Sequence, residues 1–234
     1  MNFATNSRAA RAYSTRATAI IVVLCWTLAG CALSRPAARS AVYDFGPGRL
    51  SSTPAAPTGQ VAAPALAPLI LDEVQASSAL DSNAVLYRLA YVDAQQLRPY
   101  ALARWSMPPA QLVRQRLREQ LGQERALLEP GAIFSLGKRL APGTASSATP
   151  PTLRLDLEEF SQLFEAPNRS VGLLRLRATL TQASPTGDAL LAQRTIVLQR
   201  AAPSADAAGG VQALRLATDA AAQELAQWLA QLGH

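Results

Sequence analysis

Residues 153–181 read LRLDLEEFSQLFEAPNRSVGLLRLRATLT, and this stretch decides the fold. Apolar residues recur at every second position, as leucines at 153, 155 and 157 and again as Leu174, Leu176, Ala178 and Leu180, with charged or polar residues between them. Successive side chains of a β-strand point to opposite faces, so this period of two predicts two strands with one apolar face each. The residues at 166–169, Ala-Pro-Asn-Arg, are typical of a turn. The stretch therefore predicts an antiparallel hairpin.

The residues that follow the hairpin continue the same pattern. A turn at 184–187 leads into a third predicted strand over 189–199, and the adjacent Glu158 and Glu159 predict a bulge or bend in the first strand. After the small residues at 207–210, apolar side chains recur at helical spacing from Val211 to Leu232. The C-terminal part is thus predicted to be a three-stranded meander followed by a long helix.

The upstream half is predicted to add further strands and a second helix. Residues 42–47, 69–75, 84–92 and 96–105 favour strands, the last two paired antiparallel through a turn near Asp93. Residues 107–121 favour an amphipathic helix, capped by Ser106, that ends near 122–124. The order strands, helix, strands, helix predicts an α+β fold, with two helices packed on one face of a largely antiparallel mixed sheet.

The N-terminus has the layout of a secretory signal. Three arginines and no acidic residue precede an apolar run over 17–29, which is short for a transmembrane helix. The run ends at Leu28-Ala29-Gly30-Cys31, which looks like a bacterial lipobox. We expect residues 1–30 to be cleaved and Cys31 to carry a diacylglycerol thioether and an N-acyl chain such as palmitate. An uncleaved anchor helix is the alternative, and it also leaves the domain outside the cytoplasm.

This interpretation divides the chain into a signal peptide at 1–30, an acylated tether at 31–41 and one domain at 42–234. Ala/Pro-rich loops are expected within the domain at about 48–68 and 129–151. Ala32 follows the cysteine, where an Asp would resemble an inner-membrane retention signal, so the periplasmic face of the outer membrane is favoured over the inner membrane. Cys25 lies within the signal and is expected to be lost on cleavage.

Composition argues against several classes of function. The formal charge of +6 falls by three, to +3, when the signal arginines are removed, and the basic residues are dispersed, which disfavours a nucleic-acid binder. The single histidine is the last residue, His234, which disfavours catalysis and a histidine metal site. A carboxylate group at Asp156, Glu158, Glu159 and Glu165 could serve acid–base chemistry. Cross-strand pairing with Arg175 and Arg177 explains it better.

Aromatic residues on the predicted strands offer the remaining candidate site. Tyr87, Tyr91, Tyr100 and Trp105 could line a lipid or ligand groove, but strand aromatics are more often part of the core. The sequence leaves both interpretations open. It assigns no catalytic residue, no metal ligand and no cofactor other than the acyl groups on Cys31.

An ordered set of motifs resembles the auxiliary lipoproteins of ABC-type transport, the PqiC-like lipoproteins of intermembrane lipid transport. The set covers most of the mature chain: the lipobox cysteine, Tyr43-Asp44-Phe45-Gly46-Pro47, the run at 80–88, Tyr100, Arg104-Trp105, Pro108-Pro109 and the run at 153–160.

The resemblance implies a non-enzymatic accessory or docking subunit on the outer membrane. Its implied partners are a periplasmic MCE-domain protein and the ABC permease and ATPase of the same system, and it implies that copies of the chain can associate. A structural or assembly lipoprotein of another outer-membrane complex is the alternative. A periplasmic hydrolase is disfavoured because the chain lacks a nucleophile and a base.

Overall fold

A computed structural model describes residues 39–48, 66–131 and 149–233. The meander occupies the strands β6 (Thr152–Ala166), β7 (Arg169–Ser184) and β8 (Gly187–Ala201). β6 pairs with β7 and β7 with β8, both antiparallel, and the β6–β7 register shifts between Leu157 and Glu159. The predicted hairpin, third strand and bulge are therefore confirmed. Apolar and polar residues alternate in these strands because one face of each strand packs against the helices.

Five further strands complete an eight-stranded mixed sheet: β1 (Ala41–Tyr43), β2 (Leu66–Ala76), β3 (Ala84–Leu89), β4 (Ala94–Trp105) and β5 (Arg125–Leu128). On the side of β6 away from β7, β2 pairs with its first half and β3 with its second half, both parallel. β4 pairs antiparallel with β3 and parallel with β1, while β5 pairs parallel with β2. β8 and β1 are thus at opposite edges of this part of the sheet.

Three α-helices occur in the described part of the chain: α1 (Ala90–Asp93), α2 (Pro109–Leu121) and α3 (Ala207–Gln231). α3 contacts β6, β7 and β8, α2 contacts β2, and the two long helices contact each other. Both therefore lie on one face of the sheet, and the predicted α+β class is confirmed. The sheet combines four parallel pairings with three antiparallel ones, of which the two in the meander are the longest.

The core lies between the sheet and the two long helices. Leu174, Leu176 and Leu180 of β7 are fully buried, as are Leu214 and Leu225 of α3. Burying a leucine side chain contributes about 1.5–3 kcal/mol, so this layer accounts for much of the stability of the fold. The spacing of apolar residues at every second position in 153–181 reflects the packing of one face of each strand in this core.

Four local predictions need correction. The strand predicted over 84–92 ends at Leu89, and residues 90–93 form the helix α1 in the β3–β4 turn. Ser106 does not cap α2, because Pro108 occupies the N-cap position without a side-chain hydrogen bond. Two strands were missed in part or whole: β2 begins at Leu66, within the expected loop at 48–68, and β5 follows α2. α3 begins at Ala207, four residues before the predicted start, because Asp206 caps it.

Candidate docking surface

Trp105 belongs to the core. It is fully buried, and its ring packs edge-on against Phe45 at 5.8 Å between centroids and tilted against Phe160 at 5.6 Å. β1 continues directly into the turn that carries Phe45, so this cluster ties the N-terminal strand to β4 and β6. Of the two roles considered for Trp105, the structure shows the packing role.

Tyr87 and Tyr100 form a second aromatic cluster, 4.6 Å apart between centroids, with Phe164 6.0 Å from Tyr87. The Tyr100 hydroxyl donates to Gln162 Oε1 at 2.8 Å, and Gln162 Nε2 donates to the Ser170 hydroxyl at 2.7 Å. Burial raises the pKa of Tyr100 above its ordinary value, as do the nearby Tyr87 and Asp206. The buried Gln162 amide thus has hydrogen-bond partners on both its oxygen and its nitrogen, and it lies against the first turn of α3.

Tyr91 lies on α1 and is 46% exposed, whereas the other three aromatics are buried or half-buried. A cavity of about 140 Å³ is lined by residues of the β1 turn and α2, and an open groove of about 600 Å³ by residues of β2 and α2. Tyr87, Tyr91, Tyr100 and Trp105 are not among the residues that line either space. A groove formed by all four aromatics is therefore not what the described residues build.

The acidic residues considered for acid–base chemistry are largely held in ion pairs. Glu158 pairs with Arg177 of the neighbouring strand, as expected from the alternation, and Asp156 lies opposite the same arginine in the register. Glu159 pairs with Arg88 at 3.0 Å. Each pair neutralises a carboxylate on the sheet, and within the described residues no three His, Cys, Asp or Glu side chains group together to hold a metal ion.

The small cavity borders a buried arginine that joins the two long helices. Arg116 of α2 is 8% exposed, and its Nε lies 2.5 Å from Asp219 Oδ1 of α3, while its NH1 lies 2.9 Å from Glu119 Oε2. The hydrogen bond to Asp219 raises the pKa of Arg116. Sequence analysis did not single out Arg116, since α2 carries three arginines and only the packed structure distinguishes the buried one.

The face of the sheet opposite the two long helices carries exposed apolar side chains. Along β6–β8, the side chains between the buried ones point to this face, and they include half-buried Leu163 and Leu173 and the 49% exposed Val197. α1, which contacts β6, carries two further exposed side chains, Tyr91 and the 64% exposed Val92. We call these five residues the open-face cluster.

Arg88 links the residues that follow α1 to strand β6. Its guanidinium donates to the carbonyl oxygens of Ala94 and Gln95, just after α1, and to the carboxylate of Glu159 on β6. Because one side chain holds both elements, Tyr91 and Val92 are presented by an ordered turn. A scattered exposed aliphatic residue needs no explanation, but a cluster of aromatic and aliphatic side chains beside charged ones is typical of a binding surface.

The lipobox residues Leu28, Ala29, Gly30 and Cys31 lie outside the described residues, as do most of the tether and of the two Ala/Pro-rich loops. Within the part of the chain that the structure describes, every helix is too short or too polar to cross a membrane.

The fold defines a class of protein: a two-layer α+β domain with both long helices on one face of a mixed sheet, whose other face carries exposed apolar side chains among the described residues. The chain belongs to the family described as ABC-type transport auxiliary lipoprotein component, whose model matches residues 49–226. The protein is thus an accessory lipoprotein component of ABC-type transport, as the motif set implied.

Two crystal structures share the fold. Protein XCC0632 from Xanthomonas campestris, a member of the DUF330 family, is 19% identical with a TM-score of 0.57, and the match covers 74% of this chain and 90% of that one. An uncharacterized protein is 14% identical with a TM-score of 0.53, covering 82% of this chain and 99% of that one. No curated protein matches the chain.

Proposed function

We propose that this protein is the outer-membrane-anchored accessory subunit of an ABC-type, MCE-linked intermembrane lipid transport system, where it docks the periplasmic MCE-domain protein. Its membership of the auxiliary lipoprotein family supports an accessory role. The single observation that carries the docking role is the open-face cluster, in which Tyr91, Val92 and Val197 are exposed.

The anchor is the second part of the proposal. Acylated Cys31 carries more than one chain, and each buried methylene contributes about 0.8 kcal/mol, so attachment is permanent on the timescale of transport. Ala32 after the cysteine favours the outer membrane. The domain therefore works as a fixed receptor on one membrane, to which the MCE-domain protein brings or from which it takes lipid.

The protein takes part in this route by binding and performs no chemistry of its own. Glu158 and Glu159 are paired with arginines, and Tyr100 is held by Gln162, so these polar groups already have partners inside the fold. A surface of aromatic and aliphatic residues with a charged rim suits a protein partner, since such residues are enriched at interface centres.

Site-specific photocrosslinking in intact envelopes tests the docking role. A photoreactive amino acid placed at Val197 or Tyr91 should crosslink to an MCE-domain protein, identified by mass spectrometry. Leu216 is the matched control, because it is an exposed leucine on α3, which packs on the other face of the sheet. The expected result is a crosslink from the open face and none from Leu216.

Two outcomes would contradict the proposal. If the open-face positions crosslink only to another outer-membrane complex, the protein is an assembly lipoprotein without a transport role. If they give no crosslink while deletion of the protein leaves the lipid asymmetry of the outer membrane intact, the docking role is wrong. Adjacent genes for an ATPase and a permease would support the transport role independently.

A further inference from the structure

A second exposed patch lies where the tether enters the domain. β1 pairs with β4 in parallel, with Ala41 opposite Ala103 and Val42 opposite Arg104. Ala103 and Trp105 point to the core, so the residues between and beside them, Leu102 and Arg104, point to the open side of the sheet. Val42 is 64% exposed and Leu102 is 52% exposed.

Ser40 completes the patch. Its hydroxyl accepts a hydrogen bond from Arg104 Nε at 3.2 Å, which places the last residue before β1 beside the same arginine. Ser40, Val42, Leu102 and Arg104 thus form one surface at the β1 edge, and we call it the tether patch. It combines two exposed aliphatic side chains with one exposed cation.

The length of the tether decides what can reach this patch. Ser40 is nine residue steps after Cys31, and a fully extended chain of that length spans at most about 32 Å. The tether joins the domain at the tether patch itself. A lipid surface that holds the acyl chains of Cys31 is therefore always available to this edge, at a high effective concentration.

The geometry points to a bilayer surface with anionic head groups as the ligand of the tether patch. Val42 and Leu102 enter the interfacial region, and the Arg104 guanidinium binds a lipid phosphate, whose oxygens its planar donors can engage in pairs. The inference rests on the acylation of Cys31 in the proposed function. It adds a fixed orientation, with the β1 edge toward the membrane and β8 away from it.

The patch suits lipid better than a second copy of the chain. A stable dimer buries about 800 Å² per partner. The four side chains of the tether patch, on and beside the three-residue strand β1 and the end of β4, offer much less than that. Such a small surface can hold only a ligand that another attachment already keeps nearby, which the acyl anchor does for the bilayer.

Fluorescent labelling of the full lipoprotein in vesicles tests the inference. Since Cys31 is acylated and Cys25 is removed with the signal, an added cysteine is the single free thiol of the mature chain. Val42→Cys and Leu102→Cys are each labelled with an environment-sensitive nitrobenzoxadiazole and incorporated into vesicles of phosphatidylethanolamine and phosphatidylglycerol. Leu216→Cys, on the helical layer, is the matched control. We expect a blue shift and a rise in emission at 42 and 102 and no change at 216.

Charge reversal at the same surface sharpens the test. Arg104→Glu in the labelled Leu102→Cys protein should abolish the blue shift. The control is Arg169→Glu, at the exposed β6–β7 turn, which should retain it. Both proteins must unfold at the same urea concentration as the parent, so that a lost signal reports the surface and not the fold.

Flotation of the same vesicles separates this inference from the proposed function. A protein that floats while its labels at 42 and 102 stay in water refutes the membrane contact and leaves the anchor standing. A protein that does not float refutes the anchor and this inference together. A blue shift that depends on the protein-to-lipid ratio identifies a second copy as the occupant and also refutes the lipid contact.

Discussion

Replacement of Gly210 by alanine should destabilise the protein, although the same change usually stabilises a helix. Gly210 lies in the first turn of α3, directly against the side chain of Gln162 on β6. A methyl group on Gly210 would overlap with Gln162 Oε1 and lie 3.1 Å from its Cβ, so a small rotation of the amide would not relieve the overlap. Gln162 is fully buried and has nowhere open to move.

The expected loss of stability follows from the hydrogen bonds that the Gln162 side chain makes. Its amide joins the Tyr100 hydroxyl to the Ser170 hydroxyl, and each net hydrogen bond is worth about 0.5–1.5 kcal/mol, with about 1–3 kcal/mol more for a buried partner left unpaired. The helix gains at most about 1 kcal/mol when Gly becomes Ala. We expect a net loss of about 2–4 kcal/mol in the free energy of unfolding, measured by urea denaturation followed by circular dichroism.

A compensating variant gives the control. Gln162→Ala removes the obstructing side chain, so Gly210→Ala added to it should cost almost nothing further, and the double-mutant cycle should show coupling between the two sites. Gly210→Ala that unfolds at the wild-type urea concentration or above it would refute the close contact between α3 and β6. The contact would also be refuted if the free-energy costs of the two substitutions simply added in the double variant.

Three other substitutions test the contacts around the helices. Asp206→Ala removes the α3 cap and should cost about 1 kcal/mol at neutral pH. Since the bond from the Gly209 amide lowers the pKa of Asp206, its stabilisation is complete above pH 4 and should vanish in acid as the folded-state carboxylate is protonated. Asp219→Asn should cost about 1–3 kcal/mol because Arg116 stays buried, and the double variant with Arg116→Met should recover most of it by thermal melting. Because the pKa of Tyr100 is raised in the folded protein, its hydroxyl keeps its proton at a pH where the unfolded chain ionises. Stability should therefore fall as pH rises above about 10, and Tyr100→Phe should flatten that decline in urea titrations.

The meander could be predicted from sequence because its pattern is local. The alternation of apolar and polar residues in 153–181 shows which face of each strand packs against the helices. The short turns at 166–169 and 184–187 determine which strands pair with each other. The adjacent Glu158 and Glu159 also revealed the bulge, since one residue too many between two buried ones interrupts the alternation. Each of these signals lies within a few residues of the feature it predicts.

The missed features depend on contacts between distant segments. Nothing local marks the four residues of β5 as a strand, because they are held by parallel pairing with β2 across α2. Gly209 and Gly210 suggested a break before the helix, whereas Gly210 is small so that α3 can approach Gln162. Likewise, the aromatic strand residues divide between the core, a buried cluster and an exposed turn, and sequence spacing does not distinguish these three locations.

The two exposed surfaces lie at separate places on one sheet, and this limits how the protein can serve a transport route. β1 and β8 are five strand spacings apart, about 24 Å. With a tether that extends at most about 32 Å, Val197 on β8 stays within roughly 60 Å of the lipid surface. The lipoprotein can therefore receive a partner at one membrane but cannot itself bridge the cell envelope. In the proposed system, the bridging distance must be covered by the MCE-domain protein that docks on the open face.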